Sequence, residues 1–332
     1  GEWSNDNKTG IVEIPWNGQM STMRSSLQWT QHFGKLYVAD SEKYWVYDPL
    51  FNDVKELTSE KEGEIPPRGK LITSWRGRLV IARTTEDPYN WYMSAIGEPA
   101  NWNFFPPLPT AIQATSGSAS RAGKAPDIIN TLIPYSDDLL LIGGDRSIAR
   151  MTGDPMAGGQ IDIISRSIGM MYGDSHTMDP EGNVYFVSTE AAVYVMSGNG
   201  QMQKLSNTMI ERDYLRHLDD TMFNVRLVWN HKDEGLHVFF VPTVRLEDGH
   251  SEPLSFYGLF WERKTGAWWP DTFDNERTPY AALSINGDAP NDRVLLLAAI
   301  DYNEGFETYG TDSGWRTVVN AWGPPNGYPY AF

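Results

Sequence analysis

Six histidines are scattered along the chain, at His32, His176, His217, His231, His237 and His250. A bound metal needs several ligands converging on one point, and no pair here shows the HExxH or HxH spacing that would begin such a site. His231 and His237 flank a turn and could face each other across a hairpin, but the pair alone offers too few ligands. The string Gly173-Asp174-Ser175-His176 holds the residue types of a hydrolase nucleophile block. It lacks the G-x-S-x-G elbow around the serine, so a locally satisfied turn Ser and Asp are expected. The acidic stretches "NGDAPND" (286–292) and "DYNEG" (301–305) carry oxygen ligands, though not in the order of a calcium-binding loop. "GTDSGWRT" (310–317) comes nearest to the Asp-box of propeller glycosidases without its S-x-D-x-G-x-T-W order. Asp137-Asp138 and Asp219-Asp220 are adjacent in sequence, whereas two-carboxylate catalysis needs the pair to face each other across a cleft. There is no P-loop and no GxGxxG. No catalytic, cofactor-binding or metal-ligating residue is assigned on these grounds, and no enzyme is expected.

Composition narrows the classes further. The chain has 332 residues and a net charge of −16, from 27 basic and 43 acidic side chains. It therefore lacks the basic footprint of a nucleic-acid binder, and an acidic surface repels phosphate backbones within about a Debye length. There are no cysteines, which removes disulfides and thiolate metal sites. No apolar run approaches the roughly 18 residues of a membrane helix, and no charged-then-apolar leader pattern opens the chain. Residue 1 is Gly, as left by Met removal, by a tag or by excision from a longer protein. The 13 Trp and 16 Tyr, set beside 30 Gly and 21 Pro, are the mixture that many short strands and tight turns produce.

The elements that must position these residues repeat. Residues 27–57 read as strand, tight turn, strand, turn, strand, turn, strand. The same course recurs from Gly69 ("GKLITSWRGRLVIAR", then "NWYMSAI", then "ANWNFF"), from Ile128 to "QIDIIS", over 175–206, over 225–242 with 256–273, and over 280–310. A small sheet repeated in this way buries both faces only by packing against its neighbours, as in a β-propeller. The fold expected is all-β, a six-bladed propeller over residues 1–314, with five or seven blades or a β-sandwich as the alternatives.

Three segments and the tail depart from the repeat. Residues 106–126, "PPLPTAIQATSGSASRAGKAP", read as a long excursion between the second and third units that is expected to reach a neighbouring molecule. Residues 207–218 carry a Thr208-x-x-Glu211 capping box with Ile210, Tyr214 and Leu218 four apart, predicting a short amphipathic helix. Residues 243–255 read as a polar hairpin tip. The C-terminal segment 315–332 is rich in Gly, Pro and aromatics and is expected to be ordered by an interface. Its Trp315, Trp322, Tyr328 and Phe332 are the candidate subunit contacts.

Two passages resemble the tail nozzle (tail tubular) proteins of short-tailed bacteriophages. In the first, a W-x-G-R-L turn and strand (Trp75, Gly77, Arg78, Leu79) leads to S-x-x-G-x-P-x-x-W (Ser94, Gly97, Pro99, Trp102). In the second, Gly182, Tyr185, Phe186 and Ser188 precede a Val193-Tyr194 strand and a Leu205-Ser206 step into a helix. Together the motifs cover about a third of the chain, and many family members are considerably longer. The resemblance implies a structural protein of the virion tail, assembled in the host cytoplasm and lacking catalysis or a cofactor. Its partners would be copies of itself in a ring, commonly a hexamer, with the portal, adaptor and other tail proteins adjoining. DNA would pass through the ring without specific binding. The motif aromatics read equally as packing between sheets. Two other classes use the same fold. A receptor- or glycan-binding propeller would need an aromatic groove, and a propeller hydrolase would need facing carboxylates.

Overall fold

Alternating apolar side chains and two-residue turns make the local structure. Phe33-Gly34 and Arg76-Gly77 each place two successive residues at positive φ (45° and 74°, 51° and 70°), the backbone of the tight turn that matches strand twist. Glycine at the second position meets that demand without a Cβ clash. The computed structural model describes residues 27–59, 63–211, 223–242, 257–272, 277–285, 293–301, 307–311 and 314–317.

Among these residues lie six four-stranded sheets, each an antiparallel meander in chain order. The first holds β1 (Gln28–His32), β2 (Lys35–Ala39), β3 (Tyr44–Asp48) and β4 (Asp53–Glu56). The second holds β5 (Gly69–Trp75), β6 (Arg78–Thr84), β7 (Trp91–Met93) and β8 (Thr115–Ser116). The third holds β9 (Ile129–Ser136), β10 (Leu139–Gly144), β11 (Ile148–Thr152) and β12 (Gln160–Ser165). The fourth holds β13 (His176–Met178), β14 (Val184–Val187), β15 (Val193–Met196) and β16 (Met202–Lys204). The fifth holds β17 (Phe223–Asn230), β18 (Gly235–Pro242), β19 (Tyr257–Glu262) and β20 (Trp268–Thr272). The sixth holds β21 (Arg277–Ile285), β22 (Val294–Asp301), β23 (Glu307–Thr311) and β24 (Gly314–Thr317). The chain is an all-β propeller, as expected.

Each seam between successive sheets is an apolar core. In β6, Leu79 and Ile81 pack toward Tyr37, Tyr44 and Val46 of the first sheet. Val80 and Ala82, on the other face, pack toward Ile129, Leu140 and Met151 of the third. Burial on both faces explains the unbroken apolar run "LVIA", which period-2 alternation alone would not give. Val184 and Phe186 pack against Ile133 and Leu141, whereas Tyr185 and Val187 pack against Val225 and Leu227. The first strands of neighbouring sheets also meet, β1 with β5, β5 with β9, β13 with β17 and β17 with β21.

A strap, Met170 to Ser175, crosses these inner strands. The Tyr172 hydroxyl donates to the Lys70 carbonyl of the second sheet at 3.2 Å, and the Arg83 guanidinium lies 4.7 Å from the Tyr172 ring centre. Gly173 N–H donates to Asn130 O of the third sheet at 3.2 Å, and Met171 N–H to Val187 O of the fourth at 2.9 Å. Asp174 O accepts from Leu227 N–H of the fifth sheet at 3.1 Å, while its carboxylate sits 3.0 Å from Arg226.

Two local expectations are corrected. The fourth strand of the second sheet is β8, not "ANWNFF"; within that string Trp102 makes an isolated parallel bridge to Gly63, and its side chain is buried at the seam between the first two sheets. Among the described residues the predicted helix is represented by α1 (Thr208–Ile210), capped by Asn207 rather than Thr208. The Asn207 side chain accepts the Ile210 N–H at 3.0 Å. Glu211 instead accepts from the Ser206 hydroxyl and pairs with Lys204. Residues 212–218 of that expected helix and the 243–255 tip lie outside the described residues.

Candidate interaction site

The motif residues of the second sheet converge on one buried group. Arg78 is fully buried at the start of β6. Its guanidinium donates to Ser94 O at 2.9 Å, Gln113 O at 2.5 Å and Ala111 O at 3.1 Å. Asp154, in the β11–β12 turn of the next sheet, lies 3.5 Å away. Burial pulls the guanidinium below its usual pKa, and Asp154 opposes that shift. A planar fork with five donors can hold several carbonyls at once, which an ammonium cannot do in the same geometry.

The other motif positions complete this staple. Ser94 Oγ accepts Leu79 N–H at 3.0 Å and donates to Ala95 O at 3.2 Å. Gly97, at φ 71°, donates its N–H to Gly77 O at 2.8 Å, tying two turns together. Trp102 donates Nε1–H to Pro99 O at 2.9 Å. Trp75 donates across to Ser136 O of the third sheet at 2.8 Å. All eight positions of the first motif are therefore accounted for by packing and hydrogen bonds within this chain. The second motif behaves likewise: Gly182 turns at φ 83°, Tyr185 donates to the buried Asp179 carboxylate at 3.1 Å, Phe186 packs at a seam, and Ser188 Oγ accepts Ala192 N–H at 3.2 Å.

The excursion is more ordered than its composition implies. Residues 106–126 were expected to reach a neighbouring molecule, but from Ala111 onward they fold back on their own sheets. Trp91 Nε1–H donates to Gly123 O at 3.0 Å, Lys124 pairs with Asp87 at 2.6 Å, and Ser120 donates to Pro155 O at 3.1 Å. What projects is the tip, where Phe105, Leu108 and Ile112 are 78%, 82% and 59% exposed. Beside it a cleft of about 400 Å³ opens, lined by Pro66, Pro67, Tyr92, Trp102, Phe104 and Phe105 with Glu64 and Glu86. One wall is held by Tyr44, which donates to Pro66 O and accepts Gly69 N–H, both at 2.7 Å. Glu86 is paired with Arg68, which lowers its pKa. The sequence signal for this site was the apolar, proline-broken string "FFPPLPTAI", whose aromatics had been assigned to a strand.

The remaining candidates separate. Ser175 is buried and donates to Met171 O at 2.6 Å, so the GDSH serine serves the strap. His237 lies 3.3 Å from Asn230 Nδ2 and stacks on Phe239. No cluster of three or more His, Asp or Glu poised for a metal occurs among the described residues. Asp138 pairs with Arg76 at 3.1 Å. Trp315 stands in β24, its backbone paired with Gly310, so the last sheet runs through Thr317 rather than ending at 314. Trp322, Tyr328 and Phe332 lie outside the described residues, as do His217, His250 and the acidic stretch 286–292.

No family model and no curated protein matches the chain. Among solved structures, the N-terminal domain of Nup159 is similar with a TM-score of 0.52 at 10% identity, over 87% of this chain and 74% of that one. A chain from an S. cerevisiae assembly of Dbp5 bound to Nup159, Gle1, IP6 and ADP is similar with a TM-score of 0.51 at 11% identity, over 87% and 73%. Likeness at these identities speaks to architecture alone, and that architecture is the β-propeller.

Proposed function

We propose that the protein is a non-catalytic propeller scaffold of a phage tail, forming with copies of itself a nozzle ring that continues the DNA-exit channel. The observation that carries this reading is the staple. A fully buried arginine and its motif partners hold an apolar tip and an aromatic cleft outside a set of sheets that already pack one another. Exposed apolar groups on a rigid scaffold mark a protein contact. The motif resemblance, rather than the likeness to solved propellers, supports the tail assignment. The net charge of −16 favours the passage of DNA without adhesion. On this reading the DNA channel runs between copies, because the strap of 170–175 crosses the inner strands of each single chain.

Cryo-electron microscopy of the particle tests the reading, with the protein expected as a ring below the portal and adaptor. A different location in the particle, or its absence, overturns the assignment. Purified protein is expected to show no turnover on glycosidase and esterase substrate panels. A rate abolished by Ser175→Ala would replace the scaffold reading with a hydrolase.

A further inference from the structure

We propose that the cleft between the first two sheets receives the 318–332 segment of a second copy of this chain. This deepens the ring reading and rests on it. The cleft holds about 400 Å³, within the range of pockets that take a few side chains. Its walls are prolines and aromatic rings, with Trp102 buried at the floor and Phe105 exposed at the lip. Surfaces of this kind take extended proline-containing peptides, whose rings stack on aromatics and whose fixed φ reduces the entropy lost on binding.

The segment "VVNAWGPPNGYPYAF" has the matching chemistry. Pro324, Pro325 and Pro329 favour the extended left-handed conformation, and Trp322, Tyr328, Tyr330 and Phe332 supply the apolar area. Charge selects it as well. The chain carries −16, so copies repel, yet the 15 residues from Val318 to Phe332 contain no Asp, Glu, Lys or Arg. A segment without charged side chains approaches the rim carboxylates of Glu64 and Glu86 with little like-charge cost, and its tyrosine hydroxyls are donors to them. Fifteen residues span about 45–50 Å when extended, counted from Thr317 at the end of the outermost strand β24. A tail on one copy and a cleft on the next form a head-to-tail contact, the kind that closes into a ring.

The absence of native cysteine makes the test specific. Full-length chains carrying Phe105→Cys and Tyr330→Cys, on differently sized tags, are mixed and treated with a short bismaleimide. The expected product is the mixed dimer, at least about tenfold above that formed when Tyr330→Cys is mixed with Glu190→Cys, an exposed turn position elsewhere. Replacing Pro324, Pro325 and Pro329 by Ser is expected to reduce the mixed dimer about tenfold. Cross-linking no greater than with the Glu190 control overturns the docking. So does a Phe105→Cys/Tyr330→Cys double variant that links only within one chain. A ring seen in the particle without this cross-link removes the docking and leaves the ring reading. A cross-link in a protein found outside the tail removes the ring reading and leaves the docking.

Discussion

Arg78 is surrounded by three carbonyl oxygens and one carboxylate, so its charge is both buried and matched. Removing one partner of such an arrangement leaves the rest desolvated and unpaired, at a cost of about 3–5 kcal/mol. Arg78→Met is expected to lower the urea midpoint by a corresponding amount, and Arg78→Lys to recover little of it, because Lys lacks the fork. Faster limited proteolysis between residues 103 and 112 would accompany the loss. An unchanged midpoint would show that the loop is held by something else. Histidine sets a second expectation. Burial lowers the pKa of His32, which bonds Ser74 Oγ at 2.7 Å, and of His176, where Asp174 opposes the shift. Each is held neutral when folded but takes a proton near pH 6.5 when unfolded, so the unfolded state binds more protons as pH falls. Stability is therefore full above about pH 6.5 and declines below it, toward the lowered folded-state pKa. Urea denaturation at about pH 7.5 and pH 5.5 should show the drop, and His32→Gln should make it smaller. The residue types were legible in the sequence here, but their neighbours were not. Nothing near Arg78 in the chain announces Asp154, which reaches it from the adjacent sheet.

Hairpins were the most readable elements, because a two-residue turn such as Arg76-Gly77 fixes the strands on either side by local stereochemistry. Where pairing spans a long insertion, local signals give way. β8 is only two residues long and joins β7 across the whole staple, so the aromatic string "ANWNFF" looked more strand-like than the true fourth strand. The start of α1 slipped by one residue, since Asn207 and Thr208 are both good caps and the bond of Ser206 to Glu211 leaves Asn207 to cap Ile210 N–H. The strap leading into the fourth sheet has its own strict position. A Cβ built on Gly169 would lie 2.0 Å from Asp145 O and 2.3 Å from Asp145 C, both backbone atoms that cannot rotate away. Gly169→Ala is expected to cost about 1–3 kcal/mol through overpacking. Amide exchange at 170–175 should rise more than in the outer strands; equal protection throughout would mean that the strap absorbs the methyl group.

At the scale of the whole molecule, the repeat of short strands and turns carried the fold, since the six sheets among the described residues follow the periodic pattern. The exposed tip and its cleft were only half visible, because a proline-rich string does not disclose that a buried arginine fastens its far end. The limit of the last sheet matters for any truncation. Ending the chain after Thr317 retains β24, and a protein of residues 1–317 is expected to keep its melting temperature and circular dichroism. Ending it at residue 313 removes an entire strand and should lower both. Loss of melting temperature in the 1–317 protein would show that 318–332 supports its own copy. Synthesis adds a consequence of the strap. Each meander is local in sequence and can form soon after it leaves the ribosome, yet Tyr172 meets Lys70 across 102 residues. At about 5–20 residues per second, the strap arrives about 5–20 s after the strand it braces. For those seconds every nascent chain carries a second sheet whose inner edge is unbraced, and chaperones have that interval in which to bind it.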